Sequence, residues 1–190
     1  FQQNHLLLNS KTTDLTLDHL TLNTLGENGL DTGRADLTVN GIVDVQSGRL
    51  ASSGGILNFS GSVQFDPSFS VLDLDNTSLN LSESFQLSSV LRFGGTSSLP
   101  ANDLLDLSGA SIELGGNLNL EGIDTDNTTF IELKDNSSIS SQGEVMLGRL
   151  MIHGYSLELG SANTDLSLLG IGEPTQTPEE RDLDSSFNMS

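Results

Sequence analysis

The chain has 190 residues and a mass of 20.1 kDa, enough for one domain with its own core. Its 26 acidic residues against 7 basic ones give a net charge of −19, which repels phosphate backbones and anionic lipid and argues against nucleic-acid and membrane-surface partners. The absence of cysteine excludes disulfides, thiol nucleophiles and Cys-ligated zinc, and 5% aromatics amid abundant Gly, Ser, Thr, Asn, Asp and Leu leave little material for long helices.

In chain order, residues 1–14 carry Leu6-Leu7-Leu8 and read as a first strand or a cap. From there, apolar-polar-apolar triplets come in pairs. Leu15-Thr16-Leu17 precedes Leu20-Thr21-Leu22, and Leu37-Thr38-Val39 precedes Val43-Asp44-Val45. Leu57-Asn58-Phe59 is followed by Val63-Gln64-Phe65, and Leu79-Asn80-Leu81 by Phe85-Gln86-Leu87. Ile112-Glu113-Leu114 is followed by Leu118-Asn119-Leu120, and Ile139-Ser140-Ser141 by Val145-Met146-Leu147.

The units begin at 15, 37, 57, 79, 112 and 139, in steps of 22, 20, 22, 33 and 27 residues. A period of this size is the signature of a solenoid. The long step is assigned to an insertion near 94–103, GGTSSLPAND, rich in turn formers. A third triplet fills most units: Leu50-Ala51-Ser52, Leu72-Asp73-Leu74, Leu105-Asp106-Leu107 and Ile131-Glu132-Leu133.

Each triplet points two side chains inward and one outward, and one coil cannot bury its share alone. The pattern predicts an all-β chain, a parallel β-helix of about seven coils over 15–172 with three short strands per coil of roughly 22 residues. An antiparallel sandwich or jelly roll is the alternative, since it too is built from short alternating strands. Gly41, Gly61, Gly115 and Gly116, beside Asp75-Asn76 and Asp135-Asn136, are read as turn residues needing positive φ. Leu157-Glu158-Leu159 and Leu166-Ser167-Leu168 make a last, distorted coil.

Beyond it, residues 173–190 (EPTQTPEERDLDSSFNMS) lose the repeat and read as an acidic, Pro-containing tail. Its anchors on the chain's own rod or on a neighbouring subunit are Leu183 and Phe187. With Leu6, Leu7 and Leu8 at the other end, these are the candidate assembly residues.

Chemistry-bearing patterns are few. The turns Asp73-Leu74-Asp75-Asn76 and Asp124-Thr125-Asp126-Asn127 supply oxygen ligands for a weak calcium site, without the spacing of an EF-hand loop. No other cofactor is expected. Asp103, Asp106 and Asp124 are the carboxylates that a polysaccharide-cleaving β-helix would use. His5, His19 and His153 lack metal-ligand spacing.

The stretches SGRLASSGGILNFSGSV (47–63), DLSGASIELGGNLNLEG (106–122) and SLELGSANTDLSLLG (156–170) resemble the repeats of secreted bacterial β-helices, the filamentous-haemagglutinin and autotransporter-passenger class. The resemblance covers about residues 12–170 and implies an extracellular or cell-surface rod. The expected function is structural and non-enzymatic, a homo-oligomer or polymer forming a filament, sheath or surface layer. Two alternatives stand beside it: an adhesin-type module for glycan or host protein, and a polysaccharide-active enzyme.

Overall fold

The computed structural model describes residues 14–24, 26, 28–160 and 164–172, with the backbone of Leu6–Leu7 and Ser186–Asn188. It is an all-β solenoid of about 7 turns with about 21-residue spacing, built from parallel stacked strands. The parallel pairing removes the sandwich and jelly-roll alternative.

Three faces result. The first runs without a break through Leu6–Leu7, Gly29–Asp31, the end of Val43–Ser53, Ser70–Asp75, Val90–Gly95, the start of Ser111–Asn119, Phe130–Leu133 and Arg149–Met151. This is the spine face. Its inner column stacks Leu30, Leu50, Leu72, Leu91, Ile112, Ile131 and Leu150 in register at intervals of 19 to 22 residues. All seven are between 0% and 3% exposed. One coil supplies half a layer of core and its neighbours the rest, so the apolar positions are obligatory while the outward ones are free to vary.

The second face stacks Leu15–Leu17, Leu37–Val39, Ile56–Phe59 and Ser78–Leu81. It narrows to a single bridge between Ser78 and Ser98, then resumes with the end of Ser111–Asn119, Ser137–Ser140, Ser156–Leu159 and Ser186–Asn188. Its outward column of Thr38, Asn58 and Asn80 is linked by side-chain hydrogen bonds of 3.3 and 2.8 Å, so it is called the amide face here. The third face comes in three pieces. Leu20–Asn23, the start of Val43–Ser53 and Val63–Phe65 form one. Phe85–Gln86, Leu105–Asp106 and Ile123–Asp124 form the next, and Glu144–Leu147 with Asp165–Leu168 the last.

Two sequence expectations need correction. Ile112 is the spine-face partner of Leu91, not the amide-face successor of Leu79. The step of 33 residues between Leu79 and Ile112 is therefore a change of face, and the coil from Leu91 to Ile112 has an ordinary 21 residues. Residues 94–103 add no extra coil length; their Gly, Ser and Pro reduce the amide-face strand there to one bridge.

The second correction concerns glycine. Positive φ occurs at nine described glycines, but not at Gly41, Gly61, Gly115 or Gly116. A Cβ on Gly41 would lie 2.5 Å from Asp18 O, and one on Gly61 2.5 Å from Gly41 O. Close approach between coils is the constraint there. Left-handed backbone is needed instead at Gly48, with φ of 97°, where Val43–Ser53 turns from the third face to the spine, and at Asn76, with φ of 51°.

The corners carry buried hydroxyls. The Thr32, Ser52 and Thr129 side chains donate to the carbonyls of Ala51, Gly33 and Leu107 one coil away, at 3.3, 3.4 and 3.0 Å. Burying them is tolerable because each is satisfied.

Candidate functional site

Several charged side chains of the spine face follow one another from coil to coil in two ion-paired groups. Asp73 Oδ2 accepts from Arg49 Nη2 at 2.7 Å and lies 4.0 Å from Arg92 Nη1. Arg92 Nε in turn donates to Glu113 Oε2 at 2.9 Å. Glu113 stacks on Glu132 in register, and that like-charge pair is relieved because Glu132 Oε1 takes Lys134 Nζ at 2.6 Å and faces His153 Nε2 at 3.1 Å. These groups are partly exposed, so each pair contributes less than about 1 kcal/mol. Sequence reasoning missed them because, Lys134–Glu132 apart, the paired charges lie 19 to 24 residues apart; the mid-triplet charge at the coil period was the available signal.

In the two candidate calcium turns, oxygens of Asp73, Asp75, Asn76 and Asp126 already take protein donors. Asp73 faces the arginines, and Asp75 Oδ1 accepts from Asn76 Nδ2 at 2.9 Å. Asn76 Oδ1 accepts from the Thr96 N–H and hydroxyl, both at 3.1 Å, as a corner ladder. In the second turn, Asp126 Oδ1 accepts the Thr128 hydroxyl at 2.5 Å and the Thr128 N–H at 2.8 Å. Asp124 lies on the third face in register with Asp106, and Asn127 is exposed in the turn that follows. Among the described residues, no three His, Asp or Glu side chains are grouped to hold a metal ion.

The Thr128 hydroxyl, then its N–H, hold the Asp126 carboxyl below the ordinary carboxylate range. Because the folded value is depressed, its contribution to stability is full above the unfolded pKa and is lost as pH falls through the folded one. Thr128→Ala is expected to raise the Asp126 pKa, read by carboxyl-carbon NMR titration; an unmoved midpoint would show that the hydroxyl is not the cause.

Of the three candidate catalytic carboxylates, Asp106 and Asp124 stack in adjacent coils. Asp106 Oδ1 caps its own turn through the Ser108 N–H at 2.8 Å. Asp103 sits apart in a left-handed turn, φ 56°, with its N–H donating to Gly122 O at 3.0 Å. None of the three makes an ion pair with a described residue.

At the ends, Leu6 and Leu7 pair with Leu30 and Asp31. Phe187 lies opposite Leu157, so Ser186–Asn188 docks on its own chain. Leu8 and Leu183 lie outside the described residues.

The third face has a groove at its first break. Val63–Phe65 and Phe85–Gln86 follow one another in the stack but belong to separate sheets. Inside the break the rings of Phe65 and Phe85 are 5.6 Å apart and inclined at 40°, among columns otherwise made of Val, Leu and Ile. Two aromatic rings on successive coils need more room than aliphatic pairs, and the strands part outside them. The groove holds about 430 Å³ and is lined by Asp44, Gln46, Gln64, Asp66 and Gln86 with the edges of Val63 and Phe65.

Fold and surface together define a three-faced parallel β-solenoid with one unbroken, ion-paired spine. Comparison of the chain with protein-family models, curated proteins and solved structures gives no match. No helix among the described residues is long and apolar enough to cross a membrane.

Proposed function

We propose that this chain is a non-catalytic structural solenoid of the extracellular space or cell surface, a rod-shaped subunit that associates end to end into a filament, sheath or layer. The observation that carries this reading is the state of the terminal strands. Among the described residues, Leu15–Leu17, Leu20–Asn23 and Asp165–Leu168 are each paired on one side only. An edge of parallel backbone with apolar side chains continuing inward is a template for a further strand. Two unlike ends joined in this way give an open polymer when the rotation does not close. The extracellular placement rests on the repeat texture that resembles secreted bacterial β-helices and on the acidic surface.

Negative-stain microscopy and sedimentation of the whole chain over a range of concentrations test it. Linear oligomers that lengthen with concentration are the expected result. A protein that stays monomeric throughout, with and without residues 173–190, would overturn it.

A further inference from the structure

We propose that the groove on the third face binds a neutral polysaccharide chain. This site is independent of end-to-end association, so either can fail without the other. Its walls combine the amides of Gln46, Gln64 and Gln86 with the carboxylates of Asp44 and Asp66. Amides donate and accept at once, and carboxylates accept from paired hydroxyls, which is the complement of a sugar edge.

The wall on the N-terminal side is braced: Gln46 Nε2 donates to Asp44 Oδ2 at 2.8 Å, and Gln46 Oε1 accepts from Asn23 Nδ2 at 3.0 Å. Asp66 Oδ1 holds the following turn through the N–H groups of Ser68 and Phe69 at 2.9 and 3.1 Å. The ligand-facing capacity is what remains. Among the described residues, Gln64 makes no side-chain hydrogen bond and none donates to Asp44 Oδ1 or Asp66 Oδ2.

The turn that Asp66 organises presents Phe69, 71% exposed and the most exposed aromatic side chain described. An uncovered ring on the turn that follows Asp66, a residue of the groove wall, is a surface that a pyranose face stacks on through its axial C–H groups. Charge selects the class further. With net −19 on the chain and two carboxylates in the groove, uronate or sialylated chains are repelled while neutral hexose chains are not. Successive coils offer their side chains at about 4.8 Å, close to the advance of one sugar along an extended glycan, so the ligand lies along the solenoid axis.

The test uses the whole chain with cellohexaose, laminarihexaose and hexagalacturonate as probes, followed by amide NMR shifts. Saturable shifts at Gln64, Gln86 and Phe69 with at least one neutral hexasaccharide, and none with hexagalacturonate, are expected. Phe69→Ala and the double variant Gln64→Ala/Gln86→Ala should each weaken that binding about tenfold. Ser138→Ala on the amide face should leave it unchanged. All four side chains are at least partly exposed, so the variants keep the core intact. No saturable shift with either neutral probe, binding of hexagalacturonate instead, or affinity unmoved in both groove variants overturns the proposal.

Discussion

Truncating Leu91 to alanine is expected to lower the free energy of unfolding by about 3 kcal/mol. Leu91 is fully buried at the middle of the spine, in register with Leu72 on one side and Ile112 on the other. The coils above and below it are tied together by backbone ladders and have little freedom to collapse into the void, so transfer and cavity costs add. Leu166, in the last coil and only partly buried, should cost less than about 1 kcal/mol when cut to alanine, because water already reaches it and the coil end can adjust. A stack whose coils touch only their neighbours also loses coupling at the point of damage. Hydrogen exchange in the Leu91 variant should therefore separate into two blocks, residues before and after the defect, where the parent exchanges as one. Urea denaturation gives the energies. Equal losses at Leu91 and Leu166 would mean that the spine is not the stabilising column.

The coil was legible in the sequence because its inner columns are monotonous. Ile112, Leu114, Leu118 and Leu120, spaced as two triplets, are all buried, and the chain turns from spine face to amide face between Gly116 and Asn117. What the triplets cannot say is which face they occupy, since every face demands the same alternation. That degeneracy produced the apparent insertion at 94–103, where a strand had weakened without any change in coil length. Glycine was misjudged for a related reason. A turn that needs left-handed backbone and a backbone pressed against the next coil both admit only glycine, and a single chain cannot separate the two until the coils are stacked. The groove was invisible for the opposite reason. Val63-Gln64-Phe65 and Phe85-Gln86-Leu87 read as ordinary copies of the repeat, yet the rings that complete them coincide with a parting of the ladder.

Removing residues 173–190 is expected to carry the chain beyond linear oligomers into ordered aggregates, by exposing a strand edge that the chain now covers itself. Ser186–Asn188 lies parallel to Ser156–Leu159, with Phe187 opposite Leu157 and Asn188 opposite Glu158. Leu157 and Leu159 are buried members of the core, so without the tail strand the end of the amide face offers unpaired backbone beside apolar side chains. Solenoids need their last coil covered for just this reason. The sequence-based expectation of a docked tail left open whether it joins subunits or closes one. A strand paired within its own chain closes one, so its loss should promote association. Light scattering after size exclusion, together with thioflavin fluorescence, reads the outcome. Phe187→Pro serves as the point variant: proline has no N–H for a ladder and leaves the rest of the chain untouched. If both variants stay as dispersed as the parent, Ser186–Asn188 is not a cap. If both disperse a parent that forms filaments, the tail is the joint between subunits, and the filament grows through it and not through the open edge of Asp165–Leu168.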